Sequence, residues 1–215
     1  MFCNKPTEEL TVNEFKQIEQ LMYPNKCSQT GFLMLNESLK DVIDKDNAYL
    51  KSVNITHEQI ADRIKDIFNK YKERKFGTPC GKDTCSDHLS DVMLEGNLLI
   101  NEKSYTGHQS CPFYNKEYKQ ISDYGYTDVT ILNISTGEVI TFNTLLEHMI
   151  RCHKFFEGTV LNRLEPKRII KILNIKPNQN YETSESKYLW CSIPPKCVMD
   201  NLRHFDSIAP LKYSN

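Results

Sequence analysis

The sequence lacks the features that would place the chain in a membrane or on the secretory route. Its first residues, MFCNKPTEEL, contain no apolar stretch of the kind that forms a signal peptide. No apolar run approaches the ~18 residues that a membrane-spanning helix needs, and GFLML at 31–35 is much too short. We therefore expect a soluble, intracellular protein of the cytoplasm or nucleus that makes no contact with a membrane.

Motifs of the common nucleotide-binding and hydrolytic enzymes are missing as well. The chain has no P-loop, no G-x-G-x-x-G fingerprint, no G-x-S-x-G elbow and no kinase signature. Its 27 Lys and Arg residues are balanced by 28 Asp and Glu residues. Without a surplus of cations the chain as a whole is not suited to binding a polyanion, although a local basic patch can do so.

The chain does contain enough apolar material for a folded core. Of its 215 residues, 39% are hydrophobic and 26% are charged, as in ordinary globular proteins. The length exceeds that of a typical domain of about 100–150 residues. One large domain, or one domain with an appendage, is therefore expected.

The first 76 residues are predicted to be helical. Capping-box patterns, TVNE at 11–14 and THEQ at 56–59, each precede an amphipathic run with helical spacing. Another amphipathic segment begins at Asn36, after a short strand or buried loop at 31–35.

The rest of the chain alternates between strand and helix patterns. Residues 91–101 indicate a strand interrupted by a glycine turn, and 128–142 indicate a β-hairpin. A helix is predicted from 143 or 144 through 156, and Pro166 begins a shorter one.

Together these patterns predict an α+β fold with a small antiparallel sheet, a zinc-stapled loop region and C-terminal helices. Its expected parts are a helical N-terminal part at 1–76, an α+β zinc-binding core at 77–175, and a polar linker with a docked tail at 176–215.

Eight cysteines accompany six histidines. In a chain without an export signal cysteines are expected to be reduced, so those near histidines become candidate metal ligands. Buried free thiols are expected for the cysteines that have no nearby histidine, namely Cys3, Cys27, Cys191 and Cys197.

Two turn-rich strings, PCGKDTCSDH and YTGHQSCPF, concentrate cysteine and histidine. Zinc takes four ligands of these types, commonly delivered as two closely spaced pairs. We predict a zinc site of three cysteines and one histidine, formed by Cys80, Cys85, His108 and Cys111. His88 is the alternative fourth ligand, or a residue that orients one of the ligands. The competing interpretation is that these cysteines and histidines are unconnected loop and core residues.

A second set lies in the helical string LLEHMIRCHKFFEG at 145–158. His148 and Cys152 are one helical turn apart and share a face, whereas His153 points about 100° away from Cys152. The string does not match H-E-x-x-H, because its histidines are five residues apart and the glutamate precedes the first. Three interpretations stay open: these residues complete the zinc site, they supply a catalytic pair, or Cys152 belongs to the core.

Cations at two predicted helices raise the question of nucleic-acid binding. They fall into the sets Lys70, Lys72, Arg74, Lys75 and Lys167, Arg168, Lys171. Because the helix dipole alone explains cations at a helix C-terminus, nucleic acid is a weaker prediction than a protein partner.

The resulting hypothesis is an intracellular zinc-binding protein whose metal is structural and which acts as a binding or interaction module. Metal binding would supply the folding energy that 78–127, poor in long apolar runs, otherwise lacks. The alternative is a zinc-dependent hydrolase or nuclease in which His148 or His153 joins loop ligands at an open metal site. Glu147 or Glu157 would then be the general base.

Overall fold

The part of the chain that the computed structural model describes comprises residues 7–26, 28–76, 91–113, 124–160, 163–181 and 183. Within it, the side chains of residues 8, 76, 106–108 and 124–126 are not described. Cys80, Cys85, His88 and residues 184–215 lie outside this part of the chain, as do Cys3 and Cys27. What the sequence predicts of these residues, Cys191 and Cys197 included, stays a prediction.

Three helices form the N-terminal part, after a 3-10 turn at Thr7–Glu9: α1 at Val12–Met22, α2 at Leu39–Ser52 and α3 at His57–Phe76. The predicted capping box of α1 is present, because Thr11 and Glu14 each accept the other's backbone N–H. Thr56 and Gln59 do the same before α3. The segment at 31–35 is a loop.

A four-stranded antiparallel sheet follows, in the order β1 (Asp91–Leu94), β2 (Leu98–Ser110), β3 (Tyr124–Asn133) and β4 (Glu138–Asn143). Turns at 95–97 and 134–137 join β1 to β2 and β3 to β4, which confirms the glycine turn and the hairpin. β2 is longer than predicted: it continues through Ser110, so Gly107 and His108 belong to a strand rather than to a turn.

Two shorter helices complete the described fold, α4 at Leu145–His153 and α5 at Pro166–Ile172. Pro166 is the first residue of α5, as predicted. α4 ends before the predicted residue 156, since Lys154 has a left-handed backbone with φ 58°. The N–H groups of Lys154 and Phe155 then donate to the carbonyls of Ile150 and Met149, as in a Schellman helix end.

The hydrophobic core lies between one face of the sheet and the helices. α3 packs against β1 and α4, α4 also packs against β3, and α5 packs against β4. Inward side chains from the strands that belong to this core include Val92, Leu98, Ile100, Ile131 and Phe142. Burying each such side chain contributes about 1.5–3 kcal/mol relative to leaving it in water. This arrangement confirms the α+β class.

Arg63 of α3 ties the helices to the sheet. Its side chain is 7% exposed and donates to the carbonyl of Leu173 at 3.2 Å and to the carboxylate of Asp66 at 2.9 Å. It also donates to both carboxylate oxygens of Glu95, in the β1–β2 turn, at 2.9 and 2.5 Å. Because a buried guanidinium needs acceptors for its donors, these bonds hold α3, the residue after α5 and the hairpin together.

The cations near the end of α3 also have acceptors in the chain. Lys70 pairs with Glu95, and Lys75 pairs with Glu102 of β2. Arg74 donates to a backbone carbonyl of β1 at 2.6 Å. These contacts give the basic end of α3 a structural role in packing the helix on the sheet.

Gly31 lies where the loop after α1 approaches the end of that helix. Its φ is +72°, and a Cβ there would lie 2.7 Å from the nitrogen of Pro24 and 2.8 Å from the oxygen of Met22. Gly137 has a similar φ of +69°, but nothing lies within 4 Å of its hypothetical Cβ. The two glycines therefore separate the cost of a positive φ from the cost of a backbone clash.

We expect Gly137→Ala to lower the free energy of unfolding by about 1 kcal/mol, the cost of a left-handed alanine. Gly31→Ala should lower it by on the order of 3 kcal/mol, because backbone atoms must also move apart. Urea unfolding of both variants measures the difference. Equal losses would show that the close approach at Gly31 contributes nothing.

Acid should weaken the contact between Arg63 and Glu95. Hydrogen bonds from Arg63, only partly opposed by burial, lower the pKa of Glu95 to about 2. An unfolded glutamate titrates near about 4.3, so the contribution of Glu95 is complete above that pH and is lost as the pH falls toward 2. Urea unfolding should thus show the advantage of the wild type over Glu95→Gln shrinking across this window. A pH-independent difference would contradict the assignment.

Candidate metal centre

Cys111 follows the last residue of β2, at the point where the strand leaves the sheet. Cys111 is not part of a disulfide, and the residue is 3% exposed. The next residues turn the chain, and Phe113 enters the same buried region. The end of β2 therefore delivers a thiol to the interior and not to the surface.

His148 and His153 lie on α4, in its middle and at its last residue. A separation of five residues places them about 140° apart around the helix and about 7.5 Å apart along it. Helical side chains point back toward the N-terminus, so the His153 ring lies over the preceding turn. The two rings meet edge to face, with centroids 5.1 Å apart and planes at 74°.

The ligand atoms of Cys111, His148 and His153 all lie within 4.8 Å of one another. Bond lengths of about 2.0–2.3 Å around tetrahedral zinc would place neighbouring donor atoms about 3.4–3.8 Å apart. The donor atoms therefore need to approach one another by at most about 1.0–1.4 Å to share one ion. All three residues are buried, with exposures of 3%, 4% and 0%.

Aromatic rings enclose His153. The ring of Phe113 stacks on it with centroids 4.0 Å apart and planes at 7°, and Phe113 in turn meets Phe155 edge to face at 5.9 Å. Burial, with a smaller contribution from the neighbouring His148, lowers the pKa of His153 to about 3. The imidazole is therefore neutral at physiological pH, the form that binds metals.

Neither ring nitrogen of His153 has a hydrogen-bond partner among the described residues, although both are buried. A buried polar atom without a partner costs about 1–3 kcal/mol, so an imidazole in this position calls for a donor, an acceptor or a metal. A metal ion fits the site chemically, because one sulfur and two imidazole nitrogens are typical ligands of borderline-soft metals.

The structure brings together only some of the residues that the sequence singled out. Cys111 is one of the four predicted ligands, and His148 and His153 come from the additional candidates on the helix. The backbone of His108 lies in β2, but its side chain is not described. The predicted pairing of Cys111 with Cys80, Cys85 and His108 therefore stays a prediction.

Cys152 does not belong to the cluster, although it precedes His153 directly. It is 4% exposed and disulfide-bonded. This differs from the expected reduced core thiol, and a sulfur engaged in a disulfide offers no thiolate to a metal.

Neither carboxylate considered as a general base lies in the buried cluster. Glu147 accepts a hydrogen bond from the guanidinium of Arg151 at 2.6 Å, and Arg151 also pairs with Asp62 at 2.9 Å. Burial raises the pKa of Glu157 to about 8, opposed by the charge of Arg163.

A cavity of 560 Å³ is formed separately from the cluster's ligand atoms. It is lined by α1, α2 and adjoining residues, among them Leu10, Phe15, Ile43 and Lys154. None of the three clustered ligands lines it.

Sequence reasoning had considered His148 and His153 but had no signal that both would meet Cys111. The closest available signal was that both histidines lie on the short helix that directly follows the β3–β4 hairpin. The left-handed residue Lys154, which fixes where α4 ends, carries no strong sequence mark because it is not a glycine.

No protein family, curated protein or solved structure matches the chain. Among the described residues, none of the helices is both long and apolar enough to cross a membrane.

The depressed pKa of His153 predicts an acid-sensitive fold in the metal-free protein. An unfolded histidine titrates near about 6.5, so its neutral burial contributes fully above that pH and loses this contribution as the pH falls toward 3. Between pH 6.5 and 5 the loss should reach about 2 kcal/mol. His153→Phe keeps an aromatic ring against Phe113 and removes the titration, so its stability should depend less on pH. Urea unfolding with a chelator present measures both slopes, and equal slopes would count against this assignment.

Proposed function

We propose that Cys111, His148 and His153 bind one zinc ion whose role is structural, in a protein that acts as a binding module for another protein. The observation that carries the proposal is the convergence of three buried ligand atoms within 4.8 Å. The ion would join the end of β2 to α4, two elements brought together by the fold and distant in the chain. Its binding free energy would add directly to the stability of the folded state.

Zinc is the metal that the donor set favours. Calcium and magnesium prefer oxygen ligands, whereas a thiolate and two imidazoles suit zinc or copper. The same three donors occur in copper sites with one cysteine and two histidines, so the fourth ligand decides between zinc and copper. The cysteines that the sequence carries at 79–88 favour zinc, with Cys80 or Cys85 as the fourth ligand and His88 or His108 as alternatives.

Burial supports a structural ion over a catalytic one. A catalytic zinc keeps a position open to water and substrate, whereas all three described ligands are less than 5% exposed. Glu147, a candidate base, is held by Arg151. The hydrolase alternative therefore has weaker support than the structural site.

A rigid exposed loop supports a protein partner. Leu35 is 75% exposed and Met34 is 44% exposed. The Glu37 carboxylate fixes this loop by accepting the N–H groups of Met34 at 2.8 Å and Thr159 at 2.9 Å. Because these bonds already fix the backbone of the loop, less conformational entropy is lost when a partner covers its apolar side chains.

Metal analysis of the purified protein tests the proposal. We expect about one zinc per chain, which Cys111→Ser, His148→Ala and His153→Phe should each remove, because each deletes a ligand. His57→Gln is the matched control, since His57 is also a largely buried histidine but is not in the cluster. Chelation should lower the melting temperature of the wild type and the control far more than that of the three variants. Full zinc content in the three variants would sink the proposal.

Cobalt substitution separates a structural site from a catalytic one. A cobalt ion with four protein ligands should keep its visible spectrum when azide is added, because no position is open to the anion. A spectrum that changes with azide would instead support the open site of a hydrolase. Bound copper in the purified protein, with no zinc, would contradict the choice of metal.

A further inference from the structure

The sheet has a second face, opposite the helices, and one row of side chains across it is apolar. Met93, Leu99, Leu132 and Val139 are register partners across the four strands, Met93 with Leu99, Leu99 with Leu132, and Leu132 with Val139. They alternate with the inward residues of each strand, so all four point away from the core. We call these four residues the outer apolar row.

The neighbouring row on the same face is polar and internally bonded. It consists of Asp91, Asn101, Thr130 and Thr141. Asn101 donates to Asp91 at 2.6 Å, and the two threonine hydroxyls lie 3.0 Å apart. A solvated face of an antiparallel sheet is normally polar throughout. The outer apolar row departs from that rule over the full width of the sheet.

The outer apolar row takes no part in the hydrophobic core. None of its members belongs to the core cluster or to the partly buried residues packed against it. Val139, on the edge strand, is 41% exposed, and the other three are partly exposed. Covering such side chains stabilises a protein by about 25 cal/mol per Å² of apolar area removed from water.

The chain itself returns to this end of the sheet. The ring of Tyr181 lies 5.2 Å from the guanidinium of Arg63, which bonds Glu95 in the β1–β2 turn. Met93 and Leu99 form the second residue pair from that turn. The last described stretch of the chain therefore lies on the helix side of the sheet, beside the β1–β2 turn. The outer apolar row lies next to the same turn on the opposite face, so a segment that follows would reach the row by passing around this end of the sheet.

The sequence beyond this point contains apolar side chains suited to cover the row. Residues 184–215 include Tyr188, Leu189 and Trp190 in succession, and Val198, Leu202 and Phe205 at helical spacing. Four strands span about 14 Å between the outermost two, a distance that about five extended residues can cross. The segment is thus long enough to reach every strand.

We propose that the outer apolar row is the docking surface for the chain's own C-terminal segment, 184–215. The docked segment would cover the row as the helices cover the other face, making the sheet the middle layer of three. This inference does not rest on the metal centre, which lies on the helix side of the sheet.

Trp190, the single tryptophan of the chain, reports on this docking in the intact protein. We expect its fluorescence to be shielded from acrylamide in the wild type. Leu132→Glu places a charge in the middle of the row and should shift Trp190 emission to longer wavelength and increase quenching. Thr141→Glu places the same charge on the same face, in the polar row, and should change neither.

Circular dichroism establishes that each variant is folded. If Leu132→Glu does not fold, Val139→Gln serves instead, since Val139 is exposed on an edge strand and its replacement leaves the core intact. Three results would overturn the proposal. They are a fully accessible Trp190 in the wild type, unchanged emission in a folded row variant, and shielding that disappears on dilution, which would assign the row to a second copy of the chain.

Discussion

Two imidazole rings and one thiol share a buried region, and the burial of these polar groups is the constraint that the middle of the fold has to satisfy. His153 is fully buried, and neither of its ring nitrogens has a partner among the described residues. The surrounding phenylalanine rings provide no acceptor or donor of comparable strength. A shared metal ion would resolve the conflict, because it would satisfy ring nitrogens and thiolate together and offset the cost of desolvating them.

The backbone prepares this arrangement before any ion binds. Cys111 follows the last residue of β2, which brings it into the interior. α4 ends at His153 because Lys154 adopts a left-handed conformation. The Schellman end fixes the direction of the last turn, and the Phe113 ring fixes the plane of the His153 imidazole. Independent contacts, such as those of Arg63 with Glu95 and Leu173, hold the helices on the sheet around the site.

Much of the fold was predictable because its signals are local. Capping pairs mark the starts of α1 and α3, glycine turns mark both hairpins, and Pro166 marks α5. Each depends on residues within a few positions of one another. The extension of β2 through Ser110 was missed, because its turn-like composition is outweighed by pairing with β3, a contact distant in the chain.

The types of ligand at the candidate site could be predicted from the sequence, but which residues come together there could not. Cysteine and histidine spacing indicated a metal, and Cys111 was among the predicted ligands. The partnership of Cys111 with His148 and His153 depends on how a strand end meets a helix end, which spacing within either string does not encode. The five-residue separation of the histidines excluded an H-E-x-x-H motif but left open whether both join one site, which depends on where α4 ends.

X-ray absorption spectroscopy at the zinc edge of the zinc-loaded protein tests the central claim most directly, because it measures the ligands themselves. We expect sulfur at about 2.3 Å and imidazole nitrogen at about 2.0–2.1 Å in the first coordination shell, with the multiple scattering of two imidazole rings. Replacing His153 with Phe should remove one ring's contribution. A shell of oxygen alone, or one without imidazole scattering, would contradict a site formed by Cys111, His148 and His153.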